Sequence, residues 1–397
     1  MSDLTISPPD TELAGLCARM RAFIDDEVIP REHELIVDDD SAGKVLDELR
    51  SRAKELDLWA LGHPAEVGGG GVPFLDFVYL NEIIGRSEFG QLAVGSVTMQ
   101  DTIMLHKHGT DEQQRRWIPG MVSGDVLPSV GLTEPEVAGS DPTLIATHAH
   151  LDGDTWVING HKWFTTGADV AAYCTVFART EDESVPRHAR ISSIIVPTDT
   201  PGFEIVRSIP TMGHDPSDHF EVRLTDVRVP EESLLGERGK GFVIAQDRLG
   251  PGRIFHCMRW LGQAQRAYEL MCARANSRHV HGSLLAEKGE IHRYIAESAA
   301  EIQAARLMTL DAARVMDTGD DARVQIGLIK FWGARMLHNV VDRAIQVHGA
   351  LGLTADTPLE RMYRHARYAR VYDGPDEVHR MSTARRLLRD PDAAPWR

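Results

Sequence analysis

The segment His148-Ala149-His150-Leu151-Asp152-Gly153-Asp154-Thr155-Trp156-Val157-Ile158-Asn159-Gly160 decides how the chain divides. It reads as strand, turn and strand, with Asp-Gly at the hairpin tip, where Gly tolerates the left-handed backbone that a two-residue turn needs. Ile191–Pro197, Phe220–Leu224 and Val227–Pro230 read as further short strands, with turn residues between them. Together they predict an all-β domain of roughly a hundred residues, a common domain size.

On either side the apolar period lengthens. Upstream, Leu13, Leu16, Met20, Phe23 and Ile24 form a helical stripe, and Val45, Leu49, Ala53 and Leu56 repeat it. The run Val67-Gly68-Gly69-Gly70-Gly71-Val72-Pro73 breaks the pattern and reads as a connecting loop. Downstream, Leu261–Cys272, Ile291–Met316 and Ile326–Val347 predict long helices. The glycines at 236–241 lack the Ser or Thr after Lys240 of a phosphate-binding loop, so a domain linker is the better reading. No strand–helix alternation is present, which excludes a doubly wound α/β fold. The order predicts an α+β protein with an N-terminal helical domain (1–127), a middle β domain (128–236) and a C-terminal helical domain (237–397).

A chain of 397 residues exceeds one ordinary domain, and 42% hydrophobic with 26% charged residues describes a soluble globular protein. The net charge of −16 argues against a nucleic-acid partner. Cys17, Cys174, Cys257 and Cys272 have no paired spacing, so reduced thiols in a cytoplasmic protein are expected, without a disulfide frame or metal site. The stretch Met1–Asp10 is polar, with no signal segment expected, and no apolar run approaches membrane-spanning length.

Four segments carry candidate chemistry. Gly131-Leu132-Thr133-Glu134-Pro135-Glu136-Val137-Ala138-Gly139-Ser140-Asp141 is a loop of backbone donors and small hydroxyls, suited to a flat heterocycle or an anion, or equally an ordinary turn. In Ile158-Asn159-Gly160-His161-Lys162-Trp163-Phe164-Thr165-Thr166-Gly167, an aromatic pair followed by two threonines could stack on a ring and bond its edge, or be plain core. Gln346-Val347-His348-Gly349-Ala350-Leu351-Gly352 ends a helix in glycines that cap it or let a phosphate approach. Val371-Tyr372-Asp373-Gly374-Pro375-Asp376-Glu377-Val378-His379 puts a carboxylate in a tight turn, where Asp373 either caps the next helix or serves as a base.

These segments, in this order, resemble the acyl-CoA dehydrogenase family, as does Asp226-Val227-Arg228-Val229-Pro230 at the exit of the β domain. The resemblance spans nearly the whole chain. It implies a middle antiparallel β-barrel-like domain and a C-terminal four-helix bundle. It also implies FAD as cofactor, with no metal, and α,β-dehydrogenation of an acyl-CoA in fatty acid β-oxidation. Leu132, Thr133, Ser140, Phe164 and Thr166 would contact FAD; Phe164 stands where many relatives have Trp. Arg278, Gln346, Gly349 and Ala350 would reach the FAD of a neighbouring subunit, implying a homotetramer or homodimer. Ser140 and Arg253 would lie on the acyl-CoA side, and Asp373 would take the α-proton. An electron-transferring flavoprotein would accept the electrons.

Two stretches, Arg248–Arg259 and Asp373–His379, resemble a branch associated with long-chain and hydroxylated acyl-CoAs. Most relatives have Glu at the position of Asp373, and Asp is shorter by one C–C bond, roughly 1.5 Å. Some carry the base just before the residue matching Arg253, but Gly252 cannot serve. Two rival readings within the fold are a flavin oxidase of acyl-CoA or nitroalkanes and a DNA-binding flavoprotein; the net charge of −16 disfavours the second.

Overall fold

A computed structural model describes residues 8, 10–37, 40–213 and 217–394. Most of the polar stretch Met1–Asp10 lies outside them. Twelve helices are present among the described residues: α1 (Thr11–Ala22), α2 (Glu32–Leu35), α3 (Asp40–Glu55), α4 (Phe74–Ile84), α5 (Gly90–Ala93), α6 (Met99–His108), α7 (Asp111–Ser123), α8 (Gly241–Ser277), α9 (Gly289–Asp317), α10 (Arg323–His348), α11 (Leu359–Ala369) and α12 (Asp376–Arg389). Between α7 and α8 run eight strands: β1 (Pro128–Gly131), β2 (His148–Asp152), β3 (Thr155–Thr166), β4 (Tyr173–Arg179), β5 (Ile191–Pro197), β6 (Phe203–Ser208), β7 (His219–Pro230) and β8 (Leu234–Leu235). The chain forms two compact units, one helical (1–62, 72–94, 250–397) and one built on the sheet (63–71, 95–249).

In the sheet unit the strand order is β6-β7-β3-β2-β4-β5-β8, with β1 added alongside β4. Pairing is antiparallel except for β1 with β4 and a single parallel bridge from β2 to β4. The predicted hairpin is β2–β3, and Gly153 takes φ +68° in its two-residue turn. Period-two alternation buries Trp156 and Ile158, Cys174 and Val176, Ile194 and Val196, and Val222 and Leu224 in one core. The two segments predicted as separate strands at 220–224 and 227–230 are one strand, β7. What reads as a turn between them is a bulge. Asp226 takes φ +47°, and its backbone N–H and carboxylate bond the Asn159 side chain at 2.9 and 3.0 Å, so pairing resumes beyond it.

The glycine run at 68–71 is a loop, as its composition implies. Gly68 takes φ +90°, and a Cβ on Gly69 would lie 2.3 Å from His63, so the chain folds back too closely for a side chain.

In the helical unit α10 is the axis, packing against α9, α11 and α12 through buried Ala334, Leu337, Val340, Val341 and Ala344. The helix α8 begins about twenty residues before the predicted Leu261 and carries Gly250-Pro251-Gly252 in its interior. Packing overrides these breakers. Ala245 is buried with Phe177 and Ile191 in the sheet unit, and Phe255 meets the rings of Phe74 and Phe77 at 5.5 and 5.6 Å in the helical unit. Beside α4 the backbones nearly touch: a Cβ on Gly85 would sit 2.2 Å from Arg259 Cα, and one on Gly262 would sit 2.1 Å from the Glu82 carbonyl oxygen. We predict that Gly262→Ala lowers stability by about 3 kcal/mol, the upper range for overpacking, because backbone cannot yield as a side chain would. Urea denaturation monitored by circular dichroism measures this.

Candidate active site

The sheet unit brings together the two segments proposed for a flavin, the loop at 131–141 and strand β3. Lys162 points inward from β3, and its Nζ donates to Glu134 Oε1 at 2.8 Å, the Phe177 carbonyl at 2.8 Å and the Leu132 carbonyl at 3.2 Å. Glu134 also accepts from the backbone N–H groups of Ala146 and Thr147 at 2.7 and 2.9 Å. Burial opposes its charge, but Lys162 and those donors hold its pKa below the usual carboxylate range. The Trp163 N–H donates to the Thr133 carbonyl at 3.1 Å, completing the seam between the loop at 131–141 and β3.

Around that seam, Leu132 and Thr133 are half-buried and Ser140 is exposed. Phe164, at φ +50°, leaves 44% of its surface open, and its ring stands 5.5 Å from the His219 ring. The exposed Thr166 hydroxyl pairs with His219 Nδ1 at 2.9 Å. An open aromatic face with a hydroxyl two residues on, at the end of a rigid strand, fits a flat heteroaromatic ring. His219 is an addition the motif did not signal, since it lies on β7 and only strand pairing brings it to Thr166.

Lys162 and Glu134 each retain about 1% side-chain exposure. Lys162→Met would leave Glu134 a buried, unpaired charge, at about 3–5 kcal/mol. We expect Lys162→Met to unfold at lower denaturant than the double variant Lys162→Met/Glu134→Leu, and paired urea curves test that order.

The helical unit holds the Asp373 turn. Asp373 and Gly374 take φ +53° and +97°, and a Cβ on Gly374 would lie 2.7 Å from His379 Nε2. Helix α12 has Pro375, without a side-chain cap bond, at its N-cap, so Asp373 is not the cap of that helix. Three other side chains hold the turn. Lys330, buried on α10, donates to the carbonyls of Tyr372, Ala369 and Gly374 at 2.7, 2.9 and 3.3 Å, one acceptor for each ammonium proton. Arg253 Nε and His379 Nε2 both donate to the Asp373 carbonyl at 3.0 Å. The Asp373 carboxylate is about a fifth exposed (22%), with Oδ2 3.2 Å from His256 Nε2.

Burial lowers the Lys330 pKa to about 8 and both His256 and His379 to about 4. Sequence reasoning named Arg253 and Asp373 but missed Lys330, His256 and His379. The available signals were a lysine inside the apolar run Ile329-Lys330-Phe331 and a histidine one helical turn after Arg253. Arg278 follows the end of α8, Gln346 lies in the last turn of α10, and Gly349 and Ala350 follow that helix; all four are exposed. Gly349 takes φ +65° there.

Both histidines stay neutral in the folded protein while an unfolded histidine titrates near 6.5. Between about pH 6.5 and 4 the unfolded chain therefore binds protons that the folded chain does not, and stability falls as pH falls. Melting temperature should drop on acidification from about pH 7 to about pH 5, and His379→Gln should flatten that slope.

Models of the acyl-CoA dehydrogenase N-terminal, middle and C-terminal domains match residues 11–125, 129–227 and 239–388, and the chain belongs to the acyl-CoA dehydrogenase family, a family of oxidoreductases. Among its relatives is acyl-CoA dehydrogenase family member 10 of Mus musculus, 38% identical over 98% of this chain but only 38% of that protein. The Mycobacterium tuberculosis protein named "Probable acyl-CoA dehydrogenase FadE2" is 42% identical over 88% of this chain and 87% of its own. The solved structure titled "Structure of a putative acyl-CoA dehydrogenase from Mycobacterium abscessus" superimposes with a TM-score of 0.89 at 36% identity, covering 97% of this chain and 100% of that one. The chain thus spans well under half of the murine relative and most of the mycobacterial ones.

Proposed function

We propose that the protein is an FAD-dependent acyl-CoA dehydrogenase that converts an acyl-CoA thioester to the trans-2-enoyl-CoA, with Asp373 as the base. The observation that carries this reading is the Asp373 turn. Its left-handed backbone is held by Lys330, Arg253 and His379, which presents a partly exposed carboxylate from a rigid frame. Such strain persists only where the surroundings over-determine it, and it concentrates at functional positions.

In this reaction the α-C–H bond breaks and its proton passes to the Asp373 carboxylate. The electron pair of that bond forms the α,β double bond as hydride leaves the β-carbon. FAD, when bound, would supply the hydride acceptor. Leu132, Thr133, Ser140, Phe164 and Thr166 would hold it, with Arg278, Gln346, Gly349 and Ala350 reaching the FAD of a neighbouring copy. Ser140 and Arg253 would bind on the acyl-CoA side. The α-proton is only weakly acidic, so the base must be aimed within about a bond length, which is the kind of error a rigid turn prevents.

An electron-transferring flavoprotein is the proposed electron acceptor, the proposed assembly is a homotetramer or homodimer, and the proposed setting is β-oxidation in the cytoplasm. All four cysteines are buried and free, which supports a reducing compartment, and among the described residues no helix is long and apolar enough to cross a membrane.

Anaerobic titration of the flavin-loaded protein with acyl-CoAs of graded length, 4-hydroxyacyl forms included, tests the reading. The true substrate should bleach the flavin at near-stoichiometric amounts. Asp373→Ala should keep FAD and lose bleaching by at least about 1,000-fold, as when a positioned base is removed; near-normal bleaching would overturn the assignment. Rapid reoxidation by air would instead favour an oxidase.

A further inference from the structure

We infer that His256 is a positioning residue for Asp373: held by Arg259 as its Nε2–H tautomer, it aims the shorter carboxylate by a hydrogen bond to Oδ2. The inference deepens the proposed role of Asp373 and rests on it.

The geometry fixes the direction of each bond. Arg259 Nη2 stands 2.8 Å from His256 Nδ1, and a guanidinium donates but never accepts. Nδ1 must therefore carry the lone pair. The ring proton then sits on Nε2, which faces Asp373 Oδ2 at 3.2 Å. Arg259 is buried, and the His256 ring is held by Tyr372, with centroids 4.9 Å apart, and by Trp260, at 6.2 Å and 24° between planes. Trp260 Nε1 in turn donates to the Tyr372 hydroxyl at 2.7 Å, so the ring cannot swing without breaking a second bond.

Other charged or titratable groups around Asp373 hold its backbone or bond other partners. Arg253 and His379 bond its carbonyl, and Lys330 bonds the carbonyls on either side. Arg370 Nε bonds Asp376 at 2.9 Å. Cys257 is held as a thiol by burial, and the Tyr372 hydroxyl, its pKa also raised by burial, is engaged with Trp260. These groups place the backbone of the turn. His256 meets the carboxylate itself, at Oδ2, and so restrains its rotation about the side-chain bonds.

A carboxylate one bond shorter than Glu has fewer rotamers but less reach. Orienting it before substrate arrives removes the freedom that would otherwise blunt its attack. A hydrogen bond donated to a carboxylate favours its ionised form over the protonated one. Acidification does not convert the bond to a charged pair near neutrality, because burial first, and Arg259 second, keep His256 neutral down to about pH 4.

The decisive pair of variants is His256→Phe, which keeps the ring and loses the donor, and His256→Gln, whose amide nitrogen reaches the Nε2 position. Flavin reduction by the bleaching acyl-CoA is followed in single turnovers across pH, with FAD content and melting temperature measured alongside. We expect His256→Phe to retain FAD, to slow reduction by about 10- to 100-fold at saturating substrate, and to move the acid limb of the rate up by about one pH unit. His256→Gln should recover most of the rate and restore the limb. Equal loss in both variants, or an unmoved limb in His256→Phe, would show a purely structural role and overturn the inference.

Asp373→Ala separates the two readings. If that variant bleaches normally, the base assignment has failed; if it is inert while His256→Phe behaves as wild type, only the positioning role has failed. Independently of activity, 15N-histidine NMR of the flavin-loaded wild type at neutral pH should show His256 protonated on Nε2 alone. Protonation on Nδ1 would overturn the inference even if neither variant folds.

Discussion

A buried ammonium with three protons and three backbone carbonyls to receive them holds the Asp373 turn together. Lys330 sits on α10, the helix around which the helical unit packs, and its acceptors belong to Ala369, Tyr372 and Gly374. Its hydrogen bonds go to carbonyl oxygens. Carbonyl dipoles satisfy it, and burial depresses its pKa to about 8 as the consequence. The arrangement makes the end of α11 and the start of α12 converge on one point, which leaves Asp373 and Gly374 no option but left-handed backbone.

The sheet unit uses the same device. Lys162 is also a buried lysine that bonds two carbonyls, but there Glu134 completes its shell and draws the loop at 131–141 against β3. Each unit therefore carries a lysine whose position is decided by its acceptors, and each lysine fixes one irregular segment that the regular elements would leave free. Buried charges of this kind are a poor source of net stability compared with apolar packing. Their value lies in specifying one conformation for a loop.

Much of the fold was legible in the order of periodicities. The hairpin at 148–160, the long C-terminal helices and the glycine loop at 68–71 all follow from local pattern, because each is governed by contacts close in sequence. The failures have a common cause. Thr225-Asp226 reads as a turn, but the partner strand supplies Asn159 to close a bulge. The helix expected from Leu261 begins at Gly241 and runs through Gly250-Pro251-Gly252, with buried Ala245 and Phe255 on either side. In both places a long-range contact outweighs a local preference of about 1–3 kcal/mol.

The same division holds for the candidate site. Motif order alone pointed to the family and to the segments proposed for the flavin and the base, since such proposals are tied to residue type and position along the chain. It could not choose between cap and base for Asp373, nor find His256, Lys330, His379 or His219. Those residues lie on other helices or strands and acquire meaning only from distance. The structure gives the α12 N-cap to Pro375 and sets the Asp373 carboxylate beside His256, neither of which the local sequence signals. Residue identity sets what chemistry is available, whereas packing sets which way a carboxylate points, because direction is fixed by neighbours far away in the chain.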